Sequence, residues 1–447
     1  MNHQKLFGTS GIRGDAQTLF TNQFCQKIGR AFSAYLSKHT TSKIIAVGMD
    51  PRTSSPRIKE NLVKALLPEF DVYDEGIVPT PCLSYFAKTK NFAGAVMVTG
   101  SHIQEELNGL KFFVNGEEIL KSDEQEIETL YADLKTVSLP PSSLGKIISD
   151  REAPAAYRQM LVNLSAGSYD NLTIVIDAGN GTQSEIMPSV LSALKAKVIT
   201  TNCNLNLPLL SRDLEVNQAY DDIISAMKNN QADVGILYDS DGDRSAFVTP
   251  DAQVIPTDVT GSLIAMHQTD PCLVTPINSS TVVEKIGKKV IRTKVGSPPV
   301  IEAMKKFNCK FGFESSGGTI SGEVHYTRDA GITTIKLLNI MKQTGETLQM
   351  LADKLPKYYT IKDKISCPEE LNDAILKKAK DKYGHYRIED VDGLKVWFDT
   401  DSWLLFRPSG NAPEFRVFSE SLDPHKSKKM IAEGLDLVKE VINHAER

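Results

Sequence analysis

Short apolar runs rich in β-branched residues recur along this chain, each closed by a cluster of Gly, Asp, Asn or Ser, with stretches of helical spacing between several of them. That alternation restricts the chain to an α/β architecture. The runs are Ile44 to Val47, Ala95 to Val98, Leu172 to Ile176, Val234 to Leu237, Leu273 to Val274 and Lys310 to Phe313. In open α/β sheets ligands bind beyond the carboxyl ends of the strands, so the polar clusters that follow these runs are the first places to look for chemistry.

Helical partners are visible as well. Phe24, Ile28, Phe32 and Leu36 stand at i, i+4 spacing, and Ile431, Leu435, Val438 and Ile442 form a second stripe, both read as core-facing. At 447 residues the chain has room for several domains. The Pro/Ser-rich stretch at 139–143, the break after Val248-Thr249-Pro250 and the segment from Lys357 to Cys367 divide it into 1–150, 151–250, 251–365 and 366–447. No linker is long enough to separate these parts, so they are expected to share one cleft, and no internal repeat shows in the sequence.

Lys and Arg total 51 against 56 Asp and Glu, a formal charge of -5, which argues against nucleic acid as a partner. No apolar run approaches the roughly 18 residues needed to span a bilayer, and the first residues lack a signal peptide's apolar stretch, so the expectation is a cytoplasmic protein with no membrane partner. Its six cysteines show no metal spacing and are expected to be reduced thiols.

The acidic cluster Asp239-Ser240-Asp241-Gly242-Asp243-Arg244 places three carboxylates at alternate positions, which an extended loop would turn to one side. Three clustered like charges call for a cation, and oxygen donors suit Mg²⁺. An EF-hand is excluded by Arg244 and Pro250 at the sixth and twelfth positions, and a solvated acidic turn is the bland alternative. Thr99-Gly100-Ser101-His102 presents a hydroxyl at a strand end but lacks the Gly-x-Ser-x-Gly of a hydrolase elbow, and taken alone fits a plain loop serine. Asn108-Gly109-Leu110-Lys111 reads as a turn that could return Lys111 to that strand end, or leave it as a surface lysine. Arg407, Ser409, Gly410, Asn411 and Arg416 have the composition of an oxyanion clamp, or of a tight turn with incidental arginines. Glu314-Ser315-Ser316-Gly317-Gly318 offers small polar groups suited to sugar hydroxyls.

Taken in order, these clusters together with Phe7-Gly8-Thr9-Ser10-Gly11-Ile12-Arg13-Gly14 resemble the α-D-phosphohexomutase superfamily, from about residue 5 to about 420. The resemblance implies three similar α/β domains with mixed sheets and a smaller C-terminal α+β domain around a central cleft. It also implies roles. Ser101 would carry a phosphoryl group, with His102 beside it. Asp239, Asp241 and Asp243 would hold Mg²⁺ together with an oxygen on Ser101, and Arg244 would flank them. Arg13 and Lys111 would lie near the reacting phosphate, Lys111 as a proton-transfer residue. Glu314 and Ser316 would bind sugar hydroxyls, while Arg407, Ser409, Gly410, Asn411 and Arg416 would bind the non-reacting phosphate.

The implied activity interconverts hexose 1- and 6-phosphates through a phosphoserine and a hexose 1,6-bisphosphate, which also serves as activator. Mannose and glucose phosphates come first and glucosamine phosphate second, in a monomer or homodimer. The chain departs from the family at His102-Ile103-Gln104, where His-Asn-Pro is usual, and at Ser409-Gly410-Asn411-Ala412-Pro413, where Ser-Gly-Thr-Glu-Pro is usual. Met49 stands where arginine is common, and Gly317-Gly318 replaces the Gly-His of many members. Two other readings compete: a Mg²⁺-dependent sugar phosphatase using an Asp nucleophile, and a non-catalytic sugar-phosphate sensor.

Overall fold

The computed structural model describes residues 5–134, 145–149, 151–215, 220–410 and 413–445. Four sheets follow one another along these residues. The first contains β1 (Ile12–Asp15), β2 (Ile44–Met49), β3 (Asp71–Ile77), β4 (Gly94–Val98), β5 (Leu107–Val114), β6 (Glu117–Glu118) and β7 (Ile147–Ile148). The second contains β8 (Thr173–Asp177), β9 (Lys197–Thr201), β10 (Val234–Tyr238), β11 (Ser245–Val248) and β12 (Val254–Ile255). The third contains β13 (Cys272–Pro276), β14 (Lys289–Thr293), β15 (Phe311–Phe313), β16 (Thr319–Ser321) and β17 (His325–Arg328), and the fourth β18 (Tyr359–Ser366), β19 (Arg387–Glu389), β20 (Leu394–Trp397), β21 (Trp403–Pro408) and β22 (Glu414–Ser421).

The first three sheets share one strand order. It reads β3-β2-β4-β5 in the first, β9-β8-β10-β11 in the second and β14-β13-β15-β16 in the third. In each, three strands are parallel and the fourth is antiparallel. The repeat that the sequence hides is therefore present in the topology, because a sheet needs only an apolar pattern and a turn at each place, not the same residues. Where the third strand gives way to the antiparallel one, each unit carries a loop: Thr99 to His102 after β4, Asp239 to Arg244 after β10, and Glu314 to Gly318 after β15. The fourth sheet is antiparallel throughout, in the order β18-β22-β21-β20-β19, and its β21 to β22 turn holds Ser409 and Gly410.

Helices cover the sheets as their stripes require. Thr21 caps the helix Asn22–His39 by accepting the Phe24 N-H, and Phe24, Ile28, Phe32 and Leu36 on its inner face are buried. One apolar cluster runs through the first three units, from Phe86 and Met97 through Tyr157 and Met187 to Leu263 and Ile335, which fixes the three loops relative to one another. The fourth unit has its own core around Val396, Phe406, Val417, Ile431 and Val438. A small cluster of Ile277, Trp397, Trp403, Leu405 and Phe418 joins it to the third. At that junction Lys395 is wholly buried, donates to the Ile277 carbonyl at 2.9 Å, and lies over the rings of Trp403 and Trp397 at 3.9 and 4.6 Å. Among the described residues no helix is long and apolar enough to cross a membrane.

Four sequence expectations are corrected. Strand structure begins at Ile12, not Ile44, because β1 pairs with β5 across Ile12↔Leu110 and so belongs to a sheet formed mostly by later residues. Asn108 to Lys111 is not a turn but the first half of β5. The acidic loop is not extended: it closes as a turn, with Gly242 at φ 68° and its N-H donating to the Asp239 carbonyl at 3.2 Å. The cysteines are not all reduced. Cys272 at the start of β13 and Cys309 before the adjacent β15 form a disulfide with Cα atoms 5.7 Å apart, a proximity created by strand pairing that no spacing rule detects. Cys25, Cys82, Cys203 and Cys367 are free.

Candidate active site

The loop after β4 is held from behind by a buried ion pair. Asp50 accepts the Thr99 hydroxyl at 2.7 Å and the Gly100 N-H at 3.1 Å, and Arg52 pairs with Asp50 at 3.1 Å. Arg52 also donates to the carbonyls of Ser101, Ile103 and Gln104 at 2.7 to 2.8 Å. A Cβ on Gly100 would lie 2.6 Å from the Arg52 guanidinium carbon, so this clamp needs glycine there. Ser101 has φ 53°, a left-handed conformation costing roughly 1 to 2 kcal/mol for a non-glycine residue, and the carbonyl contacts maintain it.

Ser101 is buried, and its hydroxyl donates to Asp239 Oδ2 at 3.1 Å across the boundary between the first and second sheets. His102 Nδ1 lies 3.3 Å from the same hydroxyl. The Arg244 charge, burial and Arg13 push the His102 imidazole down to about 2, so it is neutral at physiological pH. Arg13 donates to the Gly100 carbonyl at 2.6 Å.

Asp239, Asp241 and Asp243 converge, each offering a carboxylate oxygen within 4.8 Å of the other two. Lys111, far from being a surface residue, is buried on β5 and donates to Asp241 Oδ2 at 2.6 Å and Asp243 Oδ2 at 2.7 Å. Burial works against its charge, but Asp241 and Asp243 outweigh that and hold its pKa above the ordinary lysine value. Asp241 Oδ2 also accepts the Thr80 hydroxyl at 2.6 Å. Burial, Asp241 and Asp243 together raise the Asp239 carboxyl well above the usual range.

These residues fit a divalent cation. One oxygen of Asp241 and one of Asp243 are tied up by protein cations, while Asp241 Oδ1 is buried without a hydrogen-bond partner and Asp243 Oδ1 has no hydrogen bond and only the Arg244 Nε at 3.6 Å. Buried carboxylate oxygens left in this state are costly unless a cation takes them up.

A cavity of about 600 Å³ opens beside this centre. Arg13, His102 and Arg244 line it near the serine, Glu314, Ser316 and Arg328 line it from the third sheet, and Arg407, Gly410 and Arg416 line it from the fourth. Arg407 is aimed by Asp392, which accepts its Nε at 2.7 Å, and Arg416 is paired with Glu414 at 2.8 Å. Ser409 is buried in the same turn, its N-H donating to the Glu414 carbonyl at 3.0 Å. Asn411 lies outside the described residues. Of the sequence-derived set, Arg13, His102, Arg244, Glu314, Ser316, Arg407, Gly410 and Arg416 line this cavity, whereas Ser101, Lys111, Asp239, Asp241, Asp243 and Ser409 are buried and do not line it.

The descriptions of phosphoglucomutase/phosphomannomutase alpha/beta/alpha domains I, II and III match residues 4–138, 155–252 and 262–359. A phosphoglucomutase/phosphomannomutase from Thermococcus kodakarensis is 32% identical, over 98% of this chain and 99% of its own. The chain belongs to the α-D-phosphohexomutase superfamily. A phosphoglucosamine mutase from Methanococcus maripaludis is 30% identical over 97% of this chain and 98% of its own. The crystal structure of a phosphoglucomutase/phosphomannomutase family protein from Burkholderia thailandensis superposes with a TM-score of 0.84 at 23% identity, covering 99% of this chain and 98% of that one. As a phosphohexomutase the protein is an isomerase of the phosphotransferase type.

Several residues of this phosphohexomutase's site are not among those the sequence singles out. Thr80, Asp392 and Arg328 sit beside acidic or basic site residues 161, 15 and 85 positions away. Only strand and loop packing brings them there, and no local motif marks them.

Proposed function

We propose that this phosphohexomutase interconverts the 1- and 6-phosphates of a hexose, mannose and glucose phosphates foremost, through phosphorylated Ser101 and a hexose 1,6-bisphosphate. A glucosamine phosphate handled by the same chemistry is the second substrate choice. The observation that carries the reading is the buried Ser101 Oγ lying 3.1 Å from Asp239 of the acidic loop, beside His102 and Arg244, which line a cavity that Arg407, Gly410 and Arg416 also line.

In the first half-reaction the bond between phosphorus and Ser101 Oγ breaks as a bond from phosphorus to the free sugar hydroxyl forms. The proton lost by that hydroxyl balances the one gained by Ser101 Oγ. The bisphosphate then turns over, and its other phosphoryl returns to Ser101 with the proton flow reversed. Arg13 and Arg244 supply positive charge beside the serine, and Arg407 and Arg416 hold the phosphate that does not react. Glu314 and Ser316 fix the sugar between them. Mg²⁺ held by Asp239, Asp241 and Asp243 would neutralise charge on the transferring group. The division into 1–150, 151–250, 251–365 and 366–447 gives each domain one loop of the site. The reading takes the protein as a cytoplasmic monomer or homodimer acting on a small molecule.

The test is interconversion of the 1- and 6-phosphates of glucose, mannose and glucosamine with Mg²⁺ and a trace of bisphosphate, in the parent and in Ser101→Ala. Turnover of at least one sugar, with a loss of at least about a hundredfold in the variant, supports the reading. A Ser101→Ala variant that releases inorganic phosphate as fast as the parent indicates a phosphatase with an aspartate nucleophile. Binding with no turnover and no phosphate on Ser101 indicates a sensor.

A further inference from the structure

Gly318 and Arg328 compete for one volume. Gly318 precedes β16, Arg328 ends β17, and a Cβ on Gly318 would lie 2.5 Å from Arg328 Cδ and 2.8 Å from its Cγ. The register of the two strands is shifted between Ile320 and Ser321, with Ile320 opposite Arg328. The side chain missing from the sugar loop at position 318 is thus replaced by one from the neighbouring strand, and glycine is required because the arginine stem crosses it.

The guanidinium that arrives this way is buried and forked. It donates through Nη1 to Glu314 Oε2 at 2.8 Å and through Nη2 to Asp243 Oδ2 at 2.7 Å. Ser297 donates to the same Glu314 oxygen at 3.2 Å. Both donors land on Oε2, which leaves Oε1 for a substrate hydroxyl. One rigid planar group therefore touches the residue assigned to the sugar and a residue assigned to the cation, at the wall of the cavity.

We propose that Arg328 is a positioning residue that couples sugar recognition to cation binding: by bridging Glu314 and Asp243 it makes a hexose hydroxyl seated on Glu314 tighten the cation site, and Gly318 is the residue that admits it. The inference rests on the mutase reading for the identity of the sugar, but the coupling is a property of binding and is measured without turnover.

Calorimetric titration of the full-length protein with Mg²⁺ tests it, alone, with saturating glucose 1-phosphate, and with inorganic phosphate, which has the anion but not the hydroxyls. In the parent, glucose 1-phosphate tightens Mg²⁺ by about fivefold or more beyond the effect of inorganic phosphate, as linkage between two sites requires. Arg328→Lys keeps the charge but loses the fork, and Gly318→Ala keeps the arginine but displaces it. Arg328→Lys is expected to melt near the parent and Gly318→Ala somewhat lower, because its Cβ displaces the arginine stem, and both are expected to fold and to lose the sugar-specific excess while the part contributed by inorganic phosphate stays. Equal tightening by both ligands in the parent, or an excess that survives in both variants, overturns the proposal and leaves Arg328 as a structural ion pair. If the parent shows the excess but turns over no hexose phosphate, the mutase reading fails and the coupling stands.

Discussion

Lys111 Nζ lies 2.6 Å from Asp241 Oδ2 with both side chains buried, so a lysine of the first sheet is the fixed countercharge of an acidic loop on the second. Removing one partner of a buried pair leaves the other uncompensated, at a cost of about 3 to 5 kcal/mol. Lys111→Met is therefore expected to lower the melting temperature. The drop is expected to be smaller in excess Mg²⁺ than in chelator, because a bound dication replaces part of the missing charge. Melting curves in the two buffers check this, and equal drops would show that the loop does not take the ion.

Asp392 Oδ2 accepts both Arg407 Nε at 2.7 Å and the Val295 N-H at 3.0 Å, tying the proposed phosphate clamp to the third sheet. Asp392→Ala frees the Arg407 fork. The KM for a hexose phosphate is expected to rise roughly tenfold, the equivalent of about 1.4 kcal/mol, with kcat changed little. Steady-state kinetics decide it: an unchanged KM removes Arg407 from phosphate binding.

Burial, reinforced by Arg292, drives the Lys395 ammonium down to about 7, with Glu420, Glu284 and Glu389 opposing. In the unfolded chain lysine titrates near about 10.4, so between these values the unfolded state holds a proton that the native state lacks. Lys395 thus makes stability rise with pH from roughly 7 to 10 and contributes least below 7. Lys395→Met is expected to flatten that rise and to exceed the parent in stability at pH 6. Chemical denaturation midpoints across the range measure both, and parallel curves for the two proteins would refute the assignment.

The disulfide has a direct count. Thiol titration of denatured protein without reductant is expected to find the four free cysteines, and all six after reduction. With a sequence separation of 37, the Cys272–Cys309 link contributes about 3 to 4 kcal/mol by chain entropy. Six reactive thiols at the outset would show the pair to be open.

Ser101 and the aspartates 239, 241 and 243 were legible because each group lies in one loop that directly follows an apolar run, so composition and position coincide. The stripe from Phe24 to Leu36 was legible for the same kind of reason, since helical burial repeats within a few residues. Lys111 was misread as part of a turn because Asn-Gly normally marks one, whereas here pairing with β1 and β4 holds it extended. Arg328 could not be found from the chain at all: its meaning depends on a glycine ten residues earlier and an aspartate on another sheet. Residues that act within a loop leave a local pattern, and residues that act between loops do not.

Trp397 and Trp403 are the chain's two tryptophans, and both lie in the small apolar cluster that seats the fourth unit against Ile277 of the third. The part of the molecule that carries the proposed phosphate clamp is therefore self-labelled. Its emission reports one junction and nothing else, so the docking of that unit can be followed in the unmodified protein, in real time and without an attached dye, while sugar phosphates arrive and leave.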